Sequence, residues 1–495
     1  MQDTVLDPDL EKHLAHFGIA MKEMKKTEMS MVEMEIDLSR RWEYSTIQEE
    51  GQKLVPIYGP GYTGMINLGN TCYMNTALQT LTLVPGMVEI YAKHADAIFE
   101  HCSGSPVDDF NVQMAKVISG LQSGDYSSKP LDDTSKGQGI SPFSFWSNVT
   151  RGNAEFSSKR QQDVEEFMLY LFEKLEVNHS VLKAISSDDL VTSWRFKVEE
   201  RTCCTVSGIV SYKTRPETIL SVPVPRDEAV NLEEHRIYMS RCENEKAAGR
   251  TVPPEQAVRL KVPLLACIHA FAEPEFITES RSPFTNENTV LQKEYHFSTF
   301  PDWLWIHVSV KKYTISENMQ AEKLDVTLDV PDELDLSDMA AKGPQPGEKV
   351  FTTADDSLKH FEASSQALGQ LIEMGFNEVD SKKALFKAAN DPSSAIQFLL
   401  SDDLHSTPAL PAEGSMSDDA ENVKCNDGPG RYRLRGFISH MGSSVHSGHY
   451  VCHLLKDNHW VIFNDEKVAL SEKPPKEMAH IFLYQRIEDI TDERL

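Results

Sequence analysis

The sequence predicts an α+β protein: one discontinuous domain with a small helical domain inserted into it. Three observations carry this reading. Apolar residues after Cys72 recur with a helical period. Strand patterns gather at 192–198, 218–224 and 303–310 and return after residue 431. Two stretches of linker composition, 341–362 and 405–430, bracket a compact helical block at 363–404.

Taken in order, residues 1–58 read as an N-terminal helical extension rich in Met, Glu and Lys, in which Met21, Met24, Met31 and Met34 are packing residues. The first part of the main domain spans 59–340 and opens on the turn-prone Gly59-Pro-Gly61. After Cys72, residues Met74, Ala77, Leu78 and Leu81 fall on one helical face, and Asn70 or Thr71 can cap the helix. The polar run 122–141 reads as a surface loop, and the charged run 228–260 as helical. The segment from Trp303 to Val310, rich in aromatic and β-branched residues, is a strand. The second part of the domain, 431–488, returns to strands at Tyr450–Leu454 and Trp460–Phe463.

Composition narrows the function classes. The chain has 495 residues and a formal net charge of −27. That charge disfavours nucleic acid, which demands clustered Lys and Arg, and suits neutral or basic protein partners, or solubility alone. No apolar run is long enough to cross a membrane, and no secretory signal is visible, so a soluble protein of the cytoplasm is expected, with the nucleus left open. The eight cysteines include no Cys-x-x-Cys, so no metal site and no cofactor are expected.

Two boxes carry chemistry. In GMINLGNTCYMNTALQTLTL, Cys72 stands at a helix N-terminus, where unpaired amides and the helix dipole favour a thiolate. A lone cysteine there reads as readily as a buried structural thiol. The surroundings favour chemistry, because the side-chain amide of Asn67 can donate to a developing oxyanion. In the second box, Ser447-Gly448 delivers His449 to the start of a strand, and a following strand ends in Asn464-Asp465. Either of these two can orient the imidazole as a third triad member does. There are 17 histidines, and His440, His446 and His453 have no separate role visible in the pattern.

Together NLGNTCYMN, SGHYVC and WVIFND resemble the ubiquitin-specific protease family of papain-like cysteine proteases. Further stretches, among them FGIAMKEM, YGPGYTG, EFSSKRQQD and VALSEKPPK, resemble its isopeptidase T-like branch. The resemblance covers almost the whole chain. It implies a fingers-palm-thumb fold and a thiol-dependent deubiquitinase that cuts after ubiquitin's C-terminal glycine, with ubiquitin and polyubiquitin chains as partners. It implies Cys72 as nucleophile, His449 as base, Asn67 as oxyanion donor, and Asn464 with Asp465 at the third triad position. A third box, Arg160-Gln-Gln-Asp163-Val-Glu165-Glu166-Phe, matches the family's tail-contacting segment, which assigns Asp163 and Glu166 to ubiquitin's tail. Two departures stand out. Glu165 replaces the Gln of the isopeptidase T-like branch, and the Trp303–Tyr313 strand is two residues longer than its counterpart. The rival reading is a catalytically weak ubiquitin-binding scaffold.

Within 363–404, three short helices are expected, with Leu371, Leu385 and Leu399 inside and a Met374-Gly375-Phe376 loop between the first two. The block resembles a ubiquitin-associated domain, which implies that this loop binds ubiquitin. Relatives of isopeptidase T type carry an upstream zinc module that reads free chain ends. Residues 1–58 hold no cysteine, so that module and its preference for free ends are expected to be missing.

Overall fold

Alternation along the strands decides how the molecule is layered. The computed structural model describes residues 48–49, 52–129, 139–158, 160–183, 185, 190–250, 252, 256–281, 288–309, 311–313, 321–324, 326–351, 363–388, 390–400, 423–441 and 448–487. The expected helices of 1–47, His446 and most of 401–430 lie outside these residues. The helices used below are α1 (Cys72–Leu81), α2 (Phe110–Ser123), α3 (Val164–Leu182), α4 (Leu232–Ala247), α5 (Ser365–Glu373), α6 (Glu378–Lys387) and α7 (Pro392–Leu400). The strands are β1 (Phe196–Cys204), β2 (Ile209–Glu217), β3 (Leu220–Val222), β4 (Glu275–Arg281), β5 (Asn288–Phe297), β6 (Trp303–Val308), β7 (Glu333–Asp335), β8 (Lys349–Val350), β9 (Arg431–Met441), β10 (His449–Lys456), β11 (His459–Asn464), β12 (Lys467–Ser471) and β13 (Ala479–Arg486).

One sheet runs β12-β11-β10-β9-β13-β6-β3, with β7 also paired to β9. Only β6 and β3 pair in parallel within it. This sheet is covered on both faces, so β6 is buried throughout and apolar at every position but His307. Trp303 and Trp305 enter a core shared with α1, α2 and α3, while Leu304, Ile306 and Val308 enter a second core on the opposite face. A second sheet, β8-β2-β1-β5-β4, stands apart from the first.

Helix α1 lies deepest. Every one of its residues is buried, not only the expected face of Met74, Ala77, Leu78 and Leu81. The reason is its surroundings, since β10 and β11 of the sheet and helix α3 all pack against it. Three of its polar side chains bond to backbone carbonyls: Gln79 donates to the Thr63 carbonyl, and Thr76 and Thr80 donate back one turn.

Several expectations need correction. The strand expected from Thr192 begins only at Phe196, because Leu190–Ser193 forms a 3-10 turn. Residues near 58 are extended rather than helical, with Ile57 donating to the Val468 carbonyl beside β12. The polar run 122–141 is partly ordered: α2 continues to Ser123, and Gly139–Ile140 pairs with Gly64–Met65. Residues 341–351, read as linker, are fastened to the second sheet. Gly343-Pro-Gln-Pro-Gly347 is turn-prone, as its composition says, but Glu348 then accepts from Arg201 at 2.7 Å, Tyr212 at 2.5 Å and the Gln345 amide at 2.9 Å. Burial works against that carboxylate, yet these donors pull its pKa down to about 2. Strand β6 ends at Val308, and the extra length expected beyond it falls partly outside the described residues.

The inserted block forms the three expected helices. Ser364 caps α5, Asn377 caps α6 by accepting from the Asp380 amide, and Asp391 accepts from Ser394 at the start of α7. Leu371 and Leu385 are fully buried between them, with Leu399 packed at the edge.

Candidate active site

The site is assembled where the loop before α1 meets the turn after β11. Cys72 is the first residue of α1, where the amides of the first turn lack intrahelical carbonyls. Thr71 occupies the capping position without capping through its side chain, and Asn70 is left-handed at φ 58°, so neither expected cap operates. Asn67 organises the loop instead. Its Oδ1 accepts from the amides of Gly69 at 2.9 Å and Thr71 at 3.1 Å. With its oxygen occupied in this way, the Asn67 amide nitrogen is directed outward, and Nδ2 donates to Asp465 Oδ2 at 2.9 Å.

A close approach of backbones makes this meeting possible. Met65 donates to the Asp465 carbonyl at 2.8 Å. A Cβ on the neighbouring Gly64 would lie 2.5 Å from the Glu466 backbone, so only glycine fits there.

His449 opens β10 as expected, and the antiparallel β11 returns beside it. Its Nε2 lies 2.8 Å from Asn464 Oδ1 and 3.6 Å from Asp465 Oδ2. The other ring nitrogen, Nδ1, is buried and makes no hydrogen bond. Since Asn464 Oδ1 can only accept, Nε2 carries the proton and Nδ1 is free to take one. The amide of Tyr450, the next residue, donates to Cys72 Sγ at 3.4 Å, which seats the thiol beside the imidazole.

Asp465 also accepts from Asn75 Nδ2 at 2.7 Å. Asn75 follows Cys72 by nearly one helical turn and shares its face. Sequence reading missed it, although that spacing was visible. The third box brings in one more residue. Gln161 Nε2 donates to the carbonyl of Gly448, which immediately precedes His449. Gly448 has no room for a Cβ, which would sit 2.4 Å from His440 Nε2.

Asp163 caps α3 by accepting from the Glu165 amide, and Phe167 packs edge-on against Tyr73 at 5.1 Å. Helix α3 therefore starts beside the nucleophile. Burial, then the nearby Glu155 and Glu165, raise the Glu166 carboxyl above its ordinary value. Burial, then the charge of Cys72, raise the Tyr450 phenol, so it stays neutral. Met374 is 57 % exposed, whereas Phe376 packs partly into the three-helix core. Among the described residues, no three His, Cys, Asp or Glu side chains converge as metal ligands, and no helix is long and apolar enough to cross a membrane.

A buried cysteine, an imidazole fixed through its far nitrogen, and an amide donor held by a carboxylate together suit attack on a carbonyl. Comparison with known proteins bears on which carbonyl. Residues 63–484 match the family model described as ubiquitin carboxyl-terminal hydrolase. Human ubiquitin carboxyl-terminal hydrolase 5 is 34 % identical over 98 % of this chain and 69 % of its own length. Ubiquitin carboxyl-terminal hydrolase 14 of Arabidopsis thaliana is 34 % identical over the same shares. The human hydrolase 13 is 32 % identical over 98 % of this chain and 68 % of its own. A solved SAGA Ubp8/Sgf11/Sus1/Sgf73 module bound to ubiquitin aldehyde shares the fold, with a TM-score of 0.53 at 16 % identity, covering 88 % of this chain and 72 % of that one.

Proposed function

This chain belongs to the ubiquitin carboxyl-terminal hydrolase family and is a cysteine-type deubiquitinating enzyme of the isopeptidase T-like branch, and on that premise we propose how its residues divide the reaction. Cys72 Sγ attacks the carbonyl of ubiquitin's C-terminal glycine. The thiol proton passes to His449 Nδ1, and Asn67 Nδ2 donates to the oxyanion. His449 then protonates the leaving lysine amine as the C–N bond breaks. Water, deprotonated by His449, releases ubiquitin from the thioester. Asn464 holds the imidazole through Nε2. As a neutral acceptor it orients the ring without a full counter-charge, and Asp465 at 3.6 Å supplies that charge.

The observation that carries this reading is the division of labour on His449: Nε2 is bound to Asn464, while Nδ1 has no protein partner and lies on the side chain next to the Cys72 seat. The test is a ubiquitin derivative with an electrophilic C-terminus. Wild-type protein should be labelled on Cys72, and Cys72→Ala should lose both labelling and turnover of a ubiquitin C-terminal reporter while still binding ubiquitin. An unlabelled wild-type protein that binds ubiquitin would instead favour the weak scaffold.

The three-helix block is proposed to be a ubiquitin-associated domain that binds polyubiquitin through Met374, Gly375 and Phe376. Support comes from an exposed Met374 beside Gly375, whose φ of 94° turns the chain sharply between two helices. Asp163 and Glu166 are proposed to meet ubiquitin's tail, as carboxylates at the start of the helix nearest the nucleophile. A site in the cytoplasm or nucleus accords with the absence of a membrane-crossing helix among the described residues.

A further inference from the structure

Residues 161–165 cross the end of the main sheet instead of following one strand. At one end Gln161 Nε2 is bound to the Gly448 carbonyl, at the start of β10. At the other end Glu165 Oε1 accepts from Ser221 Oγ at 2.5 Å and lies 2.8 Å from His307 Nδ1. Ser221 and His307 are register partners on the parallel strands β3 and β6. In sheet order, β10 and β6 are separated by β9 and β13. Three steps at ordinary strand spacing make about 14 Å. Val164 and Glu165 already belong to α3, so the backbone covers only part of that width and the Gln161 and Glu165 side chains reach the rest. The segment is thus a strap that a side chain pins at each end.

A row of imidazoles runs between the same two ends. His440 of β9 lies against Gly448 at the first anchor, and His307 of β6 meets Glu165 at the second. His480 of β13 stands between them, with ring centroids 6.5 Å from His440 and 6.2 Å from His307. All three keep a thin exposed edge of 8 %. The row begins beside the nucleophile, because the Tyr450 ring, adjacent to the Cys72 seat, lies 4.7 Å from His440. Cys72 itself is only 1 % exposed, so an acyl chain can reach it only through a narrow passage. Burial pushes the Glu165 carboxyl up, but the hydrogen bond and charge of His307, then the Ser221 hydroxyl, more than offset it and hold the group ionised.

We propose that Glu165 is a positioning residue for deubiquitination: by pinning the far end of the strap to Ser221 and His307, it sets the bore between strap and imidazole row through which ubiquitin's extended C-terminal segment reaches Cys72. The proposal rests on the reading that Asp163 and Glu166 meet that segment. It gives a role to the one departure from the isopeptidase T-like pattern in this box. A glutamine at 165 keeps an acceptor for Ser221 but not the charge toward His307. A buried ion pair adds little net stability in general, so its value here lies in fixing geometry.

The experiment is steady-state hydrolysis of a ubiquitin C-terminal fluorogenic reporter by the full chain. Glu165→Ala should raise KM about tenfold and change kcat less than about threefold, the pattern of lost binding rather than lost chemistry. Glu165→Gln should recover most of that loss. Glu165→Ala combined with His307→Ala should raise KM no further than either alone. A fall in kcat at constant KM, an additive double variant, or a Gln variant no better than Ala would each overturn the proposal. If Glu165→Ala does not fold, Ser221→Ala carries the same expectation at about threefold in KM, because it removes one of two donors to the same carboxylate. Glu166→Ala separates the two readings. A KM rise for it but not for Glu165→Ala sinks the strap alone, while no rise for either sinks the tail contact as well.

Discussion

Asp465 uses both carboxylate oxygens, one on Asn75 of α1 and one on Asn67 of the preceding loop, and still stands 3.6 Å from His449 Nε2. Asn464 makes the single 2.8 Å contact to that nitrogen. The sequence left these two neighbours unranked, since both end the same strand. On the proposed reading they have different work: Asn464 orients the base, while Asp465 holds the oxyanion donor and faces the imidazole as counter-charge. Asn464→Ala should therefore lower kcat with little change in thermal stability. Asp465→Ala should lower kcat by about 10²–10³, the effect also expected of Asn67→Ala, because Asn67 then loses its anchor. It should also lower the unfolding midpoint, because two buried amides lose an acceptor at about 1–3 kcal/mol each. A larger kinetic effect from Asn464→Ala than from Asp465→Ala would reverse the assignment. The proposed Cys72, His449 and Asn67 drew notice in the sequence because their boxes are contiguous. Ser221 and His307 did not, since Glu165 finds them 56 and 142 residues away, through strand pairing that no local pattern encodes.

At the scale of elements, the pattern found the strands near 196–204, 220–222, 303–308, 449–456 and 459–464 but misjudged their ends, and it left Glu275–Arg281 and Asn288–Phe297 unnamed. Phe196–Cys204 starts late because Leu190 and Val191 are buried in a tight turn, which alternation alone does not distinguish from a strand. The stretch 341–351 looked like a tether because its Gly and Pro content is all a composition argument sees. Its order comes from backbone pairing with the second sheet, at Ala341 and Lys349–Phe351, and from Glu348, a single residue with three partners. The pKa depression there gives a test with a definite sign. The folded carboxyl sits at about 2 against an ordinary 4.5, so the unfolded chain binds more protons in that window. The stabilisation from Glu348 is complete above the ordinary value and drains away as pH falls toward the folded one. Glu348→Gln should lower the unfolding midpoint near neutrality, and the gap to wild type should shrink between about pH 6 and about pH 3. A gap that does not vary with pH would mean that packing, not charge, fastens this segment.

On the scale of the whole molecule, the elements run as a helical part, strands, three small helices, then the strands that complete the sheet, and the three helices are proposed to be an insert in one domain. Two linked weak sites gain effective concentration without new contacts. Met374→Ala should consequently slow cleavage of polyubiquitin chains by about tenfold or more at low substrate concentration and leave a mono-ubiquitin reporter unaffected. Met374 is the informative position because it is exposed, whereas Phe376 also supports the small core, where a loss would confound folding with binding. Equal losses on both substrates would move the module's contribution from avidity to the catalytic domain.

The thiol and the strand that seats it are 378 residues apart in the chain. During synthesis at about 5–20 residues per second, roughly 20–75 s separate the emergence of α1 from that of β10. Throughout that interval α1 lacks the sheet that buries it, and ten residues destined for the interior need other cover. On the proposed reading, a chain still short of β10 carries Cys72 but neither His449 nor Asn464, so peptidase activity is expected only once the final strands have been made and closed on α1.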